Sequence, residues 1–522
     1  MPSRGPHAAA APAPSTPRAR AVTAVPALAL AGLALTLAAC GGDDDQRTTP
    51  PSAGPRAATV AVDALPGTLD PAQARTVAER AIAVATQIPL LTYRHTAGDD
   101  AATLQPALAG DLPSLSADER EYRFQLRSGL VYADGGLVKA SDVERAIAHA
   151  SVDAADEEVR DALASIEGAP SKDGQTISGV RSDDRTGVIE VELRRPDGRV
   201  PLALADPATA PQPAIVKDDR APASTGPLRI ASRTARSIQL AANPLRPTIS
   251  TVPAARLAQI SLVPRPRSEG GVTAKELRAG DVDLDLGTPT DGERGDRIAQ
   301  LTGPSSSIVA AFVAQRGSLA SRALRRTLAE AVDTRGLSDG TGVAAACGLL
   351  PSFAVGAVDR EPCPPAPVVP DRRPLTGATI VVAVPDDAWS AAVLGVVRRA
   401  IASLGGDTTE ATAADPIAAL TDGSADIGIA RTTPRLPHPS LWLAPAAAFD
   451  PLLERELPRL TRGPLTGSGS RWSALDRRAI DRGVAIPLLA LQRVVTTGPD
   501  LDRRSVLIHP VLGIDLAALD LS

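Results

Sequence analysis

Residue types that carry chemistry are sparse in this 522-residue chain and widely spread. The histidines beyond residue 40 are His95, His149, His438 and His509. There is no HExxH or GxSxG, and no Ser/His/Asp set stands close together, so nothing points to a hydrolytic centre. Few histidines, one Met and no cysteine cluster argue against a bound metal, and no cofactor is expected. The only lysines are Lys139, Lys172, Lys217 and Lys275, and none precedes Ser or Thr. A phosphate-cradling GxxxxGK[ST] loop is therefore excluded, and with it ATP hydrolysis by that device. Chemistry on a substrate is thus poorly supported, which leaves recognition.

The charged residues available for recognition are mainly Asp, Glu and Arg. The excess of Arg, Ala and Pro reads as genomic base composition, not chemistry. A net charge of −5 gives no reason to expect nucleic acid as a partner. Cys347 and Cys363 lie in a Pro- and Gly-rich stretch, as a disulfide or as two free buried thiols. A bridge across so short a loop contributes about 3 kcal/mol.

The N-terminus decides the compartment. Residues 1–20 are irregular and basic, and 21–39 (AVTAVPALALAGLALTLAA) are uncharged and apolar. Cys40, two glycines and the run Asp43–Asp45 follow. This is the layout of an export signal. Leu37-Ala38-Ala39-Cys40 resembles the lipobox of bacterial lipoproteins, which implies cleavage before Cys40 and lipidation of its thiol. An uncleaved membrane anchor is the alternative. Residues 40–56 are polar and rich in Gly, Pro, Ser and Thr, a tether unable to bury a core. Outside the membrane a disulfide persists, which favours the bridged form of Cys347 and Cys363.

The elements that must position any site read as alternating strands and helices. A strand is predicted over Thr59–Val62 and a helix over 72–87. YRFQLR (122–127) alternates apolar and polar residues with the period of a half-buried strand, and the chain then turns over at Asp134-Gly135. Three of the ten aromatic residues, Tyr122, Phe124 and Tyr132, fall in this stretch and are expected to anchor a small sheet. Capping boxes are predicted at Ser141–Glu144 and Thr273–Glu276, the second helix stopping near Gly280. Buried strands are predicted at 379–384 and 426–430. Between them a helix carries Val393, Val397, Ile401 and Leu404 on one face and stops at Gly405. The pattern is α/β, in more than one lobe.

The order of these pieces is recognisable. Pro106-Ala107-Leu108-Ala109, then Tyr122, Phe124, Leu126 and Arg127, then Tyr132, Asp134 and Gly135, then Ala140, Asp142 and Val143 resemble consecutive motifs of the extracellular solute-binding proteins of family 5, the peptide/nickel type that serves ABC importers. STGPLRI (224–230), LRAGDVDL (277–284), RALRRTLAEAVD (322–333) and AIPLL (485–489) resemble later motifs in the same order. The resemblance implies a two-lobed fold of the type II periplasmic-binding-protein kind with an extra subdomain in the first lobe. It places the first lobe at 57–300 with an inserted subdomain near 89–173, the second at 305–485, and a return of 486–522 to the first. It implies a monomer that captures a solute between the lobes and delivers it to an ABC permease served by separate ATPase subunits.

Family members that bind peptides place a Trp and an Asp after the strand corresponding to 426–430. Here Arg431, Arg435 and His438 occupy that segment, with no acid between Arg431 and Leu443. Arginine there rejects an ammonium and favours an anionic or neutral polar solute. His438, between prolines, is expected on a surface loop. Trp442 and Trp389 are candidates for stacking on a ligand or for core packing. Asp63 and Gln315 are further candidate cleft residues. Gln315 stands where the family has an Asn, and this departure weakens direct transfer of the family's contacts. A member that has lost transport and acts as a sensor or interaction module is the alternative reading.

Overall fold

The computed structural model describes residues 56–522 except 173, 215–221, 265–271, 273, 288–296, 338–341, 359–362, 364–365, 369–371 and 388. The expected signal segment, Cys40, nearly all of the tether and the capping residue Thr273 lie outside the described residues. Among the described residues, no helix is long and apolar enough to cross a membrane.

In chain order the strands are β1 (Ala57–Val62), the pair β2 (Leu91–Tyr93) and β3 (Leu104–Pro106), and a group β4 (Ser114–Leu115), β5 (Glu121–Gln125), β6 (Val180–Asp183) and β7 (Val188–Glu192). Then come β8 (Leu228–Arg233), β9 (Ile238–Ala242), β10 (Gln259–Pro264), β11 (Leu284–Asp285), β12 (Ala299–Val313) and β13 (Val343–Ala345). The later half adds β14 (Thr379–Val384), β15 (Asp407–Thr412), β16 (Ile427–Thr432), β17 (Ala485–Thr497), β18 (Leu507–His509) and β19 (Gly513–Asp515).

One sheet of 11 strands runs in the order β15-β14-β16-β12-β17-β11-β1-β10-β9-β8, with β13 added beside β17. β1 lies between β10 and β11, parallel to both. A strand with parallel neighbours on each side has helices or loops over both faces, so Val60, Ala61 and Val62 are all buried. β14 repeats this on the other side of the sheet, parallel to β15 and β16. The helix Ser390–Ser403 packs Val393, Val397 and Ile401 against this side, and Gly405, at φ 86°, lets the chain reverse after it. Gly280, at φ 75°, ends the helix Ala274–Ala279 in the same manner.

β12 and β17 are the longest strands and connect the two sides. The first half of β12 pairs with the last half of β17, which also pairs with β11. The second half of β12 pairs with β16 and with the first half of β17. The hairpin β18–β19 returns to the β1 side, where Ile508, Ile514 and Leu516 join Val60, Ile82 and Leu284 in one core.

The aromatic-rich stretch forms part of a separate sheet, β4-β5-β7-β6. Tyr122 and Phe124 point into its core, while Arg123 and Gln125 face out. On the outer face Arg181 joins Glu121 (3.0 Å), Glu190 (3.3 Å) and Glu192 (2.8 Å). Tyr132 lies in the turn that follows, and its hydroxyl donates to Asp142 Oδ2 at 3.0 Å.

Two local readings need correction. The helix predicted over 72–87 is a short 3-10 turn, Pro71–Gln73, followed by a helix over Val77–Thr86. The break arises because Thr76 and Glu79 form a reciprocal cap, Glu79 N to Thr76 Oγ1 at 3.2 Å and Thr76 N to Glu79 Oε2 at 2.9 Å. The next helix starts at Ala140, one residue before the expected position, because Asp142 accepts from Lys139 N at 3.0 Å. Ser141 and Glu144 instead reach the β6–β7 region: Ser141 N donates to Asp184 at 2.8 Å and Ser182 Oγ to Glu144 at 2.5 Å.

Candidate functional site

Where β12 and β17 pass between the two sides of the sheet, their pairing is interrupted. Ser305 pairs with Gln492 and Thr302 with Val494, so Gly303 and Pro304 stand opposite the single residue Arg493. This bulge aims Arg493 out of the ladder. Gly303 is required there: a Cβ would lie 2.2 Å from Ile508 Cγ2 of the hairpin beneath. The bulge borders a cavity of about 70 Å³, whose polar lining includes Arg80, Ser306, Thr433, Arg435 and Arg493, with the 509–514 turn closing it.

The arginines differ in their partners. Arg435 is held by Asp206 (Nε to Oδ2, 2.7 Å) and, more distantly, by Asp156 (3.7 Å), and it donates to Val511 O at 3.2 Å. Burial opposes its charge, but Asp206 and Asp156 outweigh burial and raise its pKa. Arg80 donates through one nitrogen to both oxygens of Asp156 (2.7 and 3.0 Å), while its Nε is buried without a partner. Burial and the nearby Arg435 lower its pKa. Arg493 makes no side-chain hydrogen bond or ion pair among the described residues. Its side chain reaches water, yet the surrounding protein, with Arg80 and Arg435, lowers its pKa. Glu158 is spent on the Arg435 and Leu436 N–H groups at 2.6 and 3.3 Å, and burial raises its pKa.

Of the residues singled out from sequence, only Arg435 lines this cavity, and its charge is already neutralised by Asp206 and Asp156. Arg431 is exposed on β16, and Asp63 is exposed just after β1. Gln315 accepts from the buried Arg325 at 3.1 Å and donates to Phe449 O, a contact that ties β12 to neighbouring loops. Trp442 is a core residue and not a stacking platform. It is 2% exposed, packs edge-on against Phe353 at 5.9 Å and donates to Ser306 O at 3.3 Å. Trp389 is half-buried at the start of the helix Ser390–Ser403.

His438 does not lie on a surface loop. It is fully buried and caps the helix Pro439–Ala447, its Nδ1 accepting from Ser440 N at 3.3 Å, with its ring edge-on to Trp472 at 5.3 Å. Burial lowers its pKa to about 3. The remaining histidines hold structure: His95 pairs with Asp515 (2.8 Å), His149 with Asp70 (2.9 Å), and His509 bridges the carbonyls of Arg94 and Ala101. Cys347 and Cys363 form a disulfide, their Cα atoms 5.9 Å apart.

Sequence reasoning missed Arg80 and Arg493. Arg493 had a signal: Gln492-Arg493 interrupts the otherwise apolar LLALQRVVTT of β17. A charge in the middle of such a strand needs a reason.

Residues 103–354 match the bacterial extracellular solute-binding proteins, family 5 middle region. No curated protein matches this sequence. Similar solved structures include the unliganded open form of MppA, a periplasmic murein tripeptide binding protein, at 16% identity, 90% of this chain, 98% of that chain and TM-score 0.74. A nickel ABC transporter protein of Bacillus halodurans follows at 14% identity, 89% and 100% coverage and TM-score 0.73. The clavulanic acid biosynthesis oligopeptide binding protein 2 gives 19%, 90%, 96% and 0.70. At such identities the structural likeness speaks for the fold, which is the two-lobed mixed α/β fold of these binding proteins. In the collinear motifs and the matched middle region, just under half of its length, the chain is similar to the extracellular solute-binding proteins of family 5.

Proposed function

We propose that this chain is the substrate-binding lipoprotein of an ABC importer. It captures a small solute, peptide-like or otherwise polar or anionic, between its two lobes and passes it to a permease powered by separate ATPase subunits. The lobes are taken as 57–300, with an inserted subdomain near 89–173, and 305–485, with 486–522 returning to the first. A lipid on Cys40 holds the protein at the outer face of the cell membrane. The observation that carries the reading is the cavity at the β12–β17 crossing, in a chain similar to this family, whose arginines come from both sides of the sheet. Closure of the lobes around a solute is the motion such a crossing permits.

Arg435 also bears on the peptide question. In the segment where peptide-binding members carry an Asp, this chain places a cation consumed by Asp206. A peptide held by its amino terminus finds no free carboxylate in this cavity. A second reading, a member without transport, draws on the aromatics. None of the Trp, Tyr or Phe side chains lines this cavity.

A thermal-shift screen of the full chain against peptides, sugars, organic acids and metal salts tests the proposal. A solute at one hundred times its dissociation constant adds about 2.7 kcal/mol of stability. A saturable hit supports solute capture. A folded protein that responds to no class of solute refutes it and favours the second reading.

A further inference from the structure

We propose that the cavity at the strand crossing is an oxyanion subsite, in which Arg493, assisted by Arg80, holds one carboxylate, phosphate or sulfate group of the solute. This rests on the solute-binding reading and adds the chemical class of the solute and the residues that select it.

Three acids around the cavity already have partners. Asp206 is taken by Arg435, and Asp156 is shared between Arg80 and Arg435. Glu158 is occupied by two backbone N–H groups. Each of these three acids is therefore engaged. The Nε of Arg80 remains a buried donor without an acceptor, and the Arg493 guanidinium has no partner among the described residues. A buried donor left unsatisfied is costly, and the unpaired Arg493 guanidinium adds a positive charge beside the Asp156-paired Arg80. Burial and the neighbouring guanidinium groups disfavour the charged forms of Arg80 and Arg493. An anion between them removes both penalties.

The walls point the same way. Pro304, Pro434 and Pro510 line the cavity and have no N–H to offer. The Ser306 carbonyl already accepts from Trp442, its hydroxyl stays available as a donor, and Thr433 Oγ1 is bonded to Ser307 at 2.6 Å. The free charged donors are guanidinium groups, whose planar fork, with the Ser306 hydroxyl beside it, matches an oxyanion better than a neutral hydroxyl. A volume of about 70 Å³ accommodates one such group and not a whole peptide, so the rest of the solute extends out of the cavity.

The test uses the detergent-solubilised full chain. Its melting temperature is measured at constant ionic strength with acetate, glutarate, phosphate or sulfate against chloride, beside neutral sugars and nickel chloride. The expected result is a saturable rise with at least one oxyanion, and the acetate, glutarate, phosphate and sulfate arms separate a carboxylate from a phosphate or sulfate ligand. Arg493→Gln weakens the apparent affinity by roughly tenfold to a hundredfold. Arg493→Lys, which keeps the charge but not the fork, falls between. Arg459→Gln, on an exposed helix face, leaves the response unchanged. The proposal is overturned if no oxyanion raises the melting temperature, or if Arg493→Gln responds as the wild type does. Stabilisation by sugar or nickel without any oxyanion response removes the subsite and leaves solute binding standing. Silence from every solute removes both.

Discussion

Replacing His438 by Asn should flatten the loss of stability on acidification. In the folded protein burial holds His438 neutral down to a pKa of about 3, against 6.5 for the free side chain. Below pH 6.5 the unfolded chain gains a proton at this position that the folded chain does not. Stability is thus fully present above 6.5 and falls as the pH falls toward 3. Between pH 7.5 and pH 5 the linkage relation gives a loss of about 2 kcal/mol from this one histidine. His509, lowered to about 4 by burial and by His95, has the same sign and contributes about 2 kcal/mol more over that range. Buried Glu158, whose pKa is raised, works in the opposite sense in both proteins, so it cancels from the comparison. Urea unfolding of wild type and His438→Asn at pH 7.5 and pH 5 measures the effect. Asn keeps a cap acceptor for Ser440 N but loses the ring against Trp472, so the variant starts less stable at pH 7.5. What matters is the change with pH, which should be about 2 kcal/mol smaller in the variant. An unchanged pH dependence means that His438 titrates normally in the folded state, and the buried-cap assignment is wrong.

Two further outcomes follow, one from the buried Arg435–Asp206 pair and one from the proposed lipidation of Cys40. Arg435→Met removes the cation from a pair whose side chains are only 8% and 10% exposed and leaves Asp206 buried without it. The loss should be about 3–5 kcal/mol in urea unfolding, and pairing it with Asp206→Leu should recover much of it. A loss below about 1 kcal/mol would mean the pair is solvated like a surface bridge. Expressed in a bacterial host, the wild-type chain should partition into the detergent phase on Triton X-114 extraction, with a mass that reflects cleavage before Cys40. Cys40→Ser should lose the lipid and the processing together, and an identical mass increment in both proteins would refute lipidation at this residue.

Local signals made much of the chain legible. TIVVAV became β14, Gly405 and Gly280 ended helices at left-handed positions, and the Tyr122–Phe124 alternation became a strand with one buried face. Each of these depends on residues only a few positions apart, so period and turn chemistry suffice. The ordered motifs carried the family resemblance for the same reason, since each is a short run read along the chain.

The site was not legible in that way. Arg435 reads as a free cation in an Arg-rich segment, and its partner Asp206 lies 229 positions earlier. His438 reads as a loop residue between prolines, yet the fold buries it against Trp472. Arg493 acquires meaning only when the register of β17 against β12 sets it opposite a bulge. Whether a charge is paired, exposed or left waiting for a counter-ion is set by which distant strands and turns close around it. Composition and period fix the elements because those forces act locally. Burial and charge pairing act through space, and here only the tertiary structure decided them.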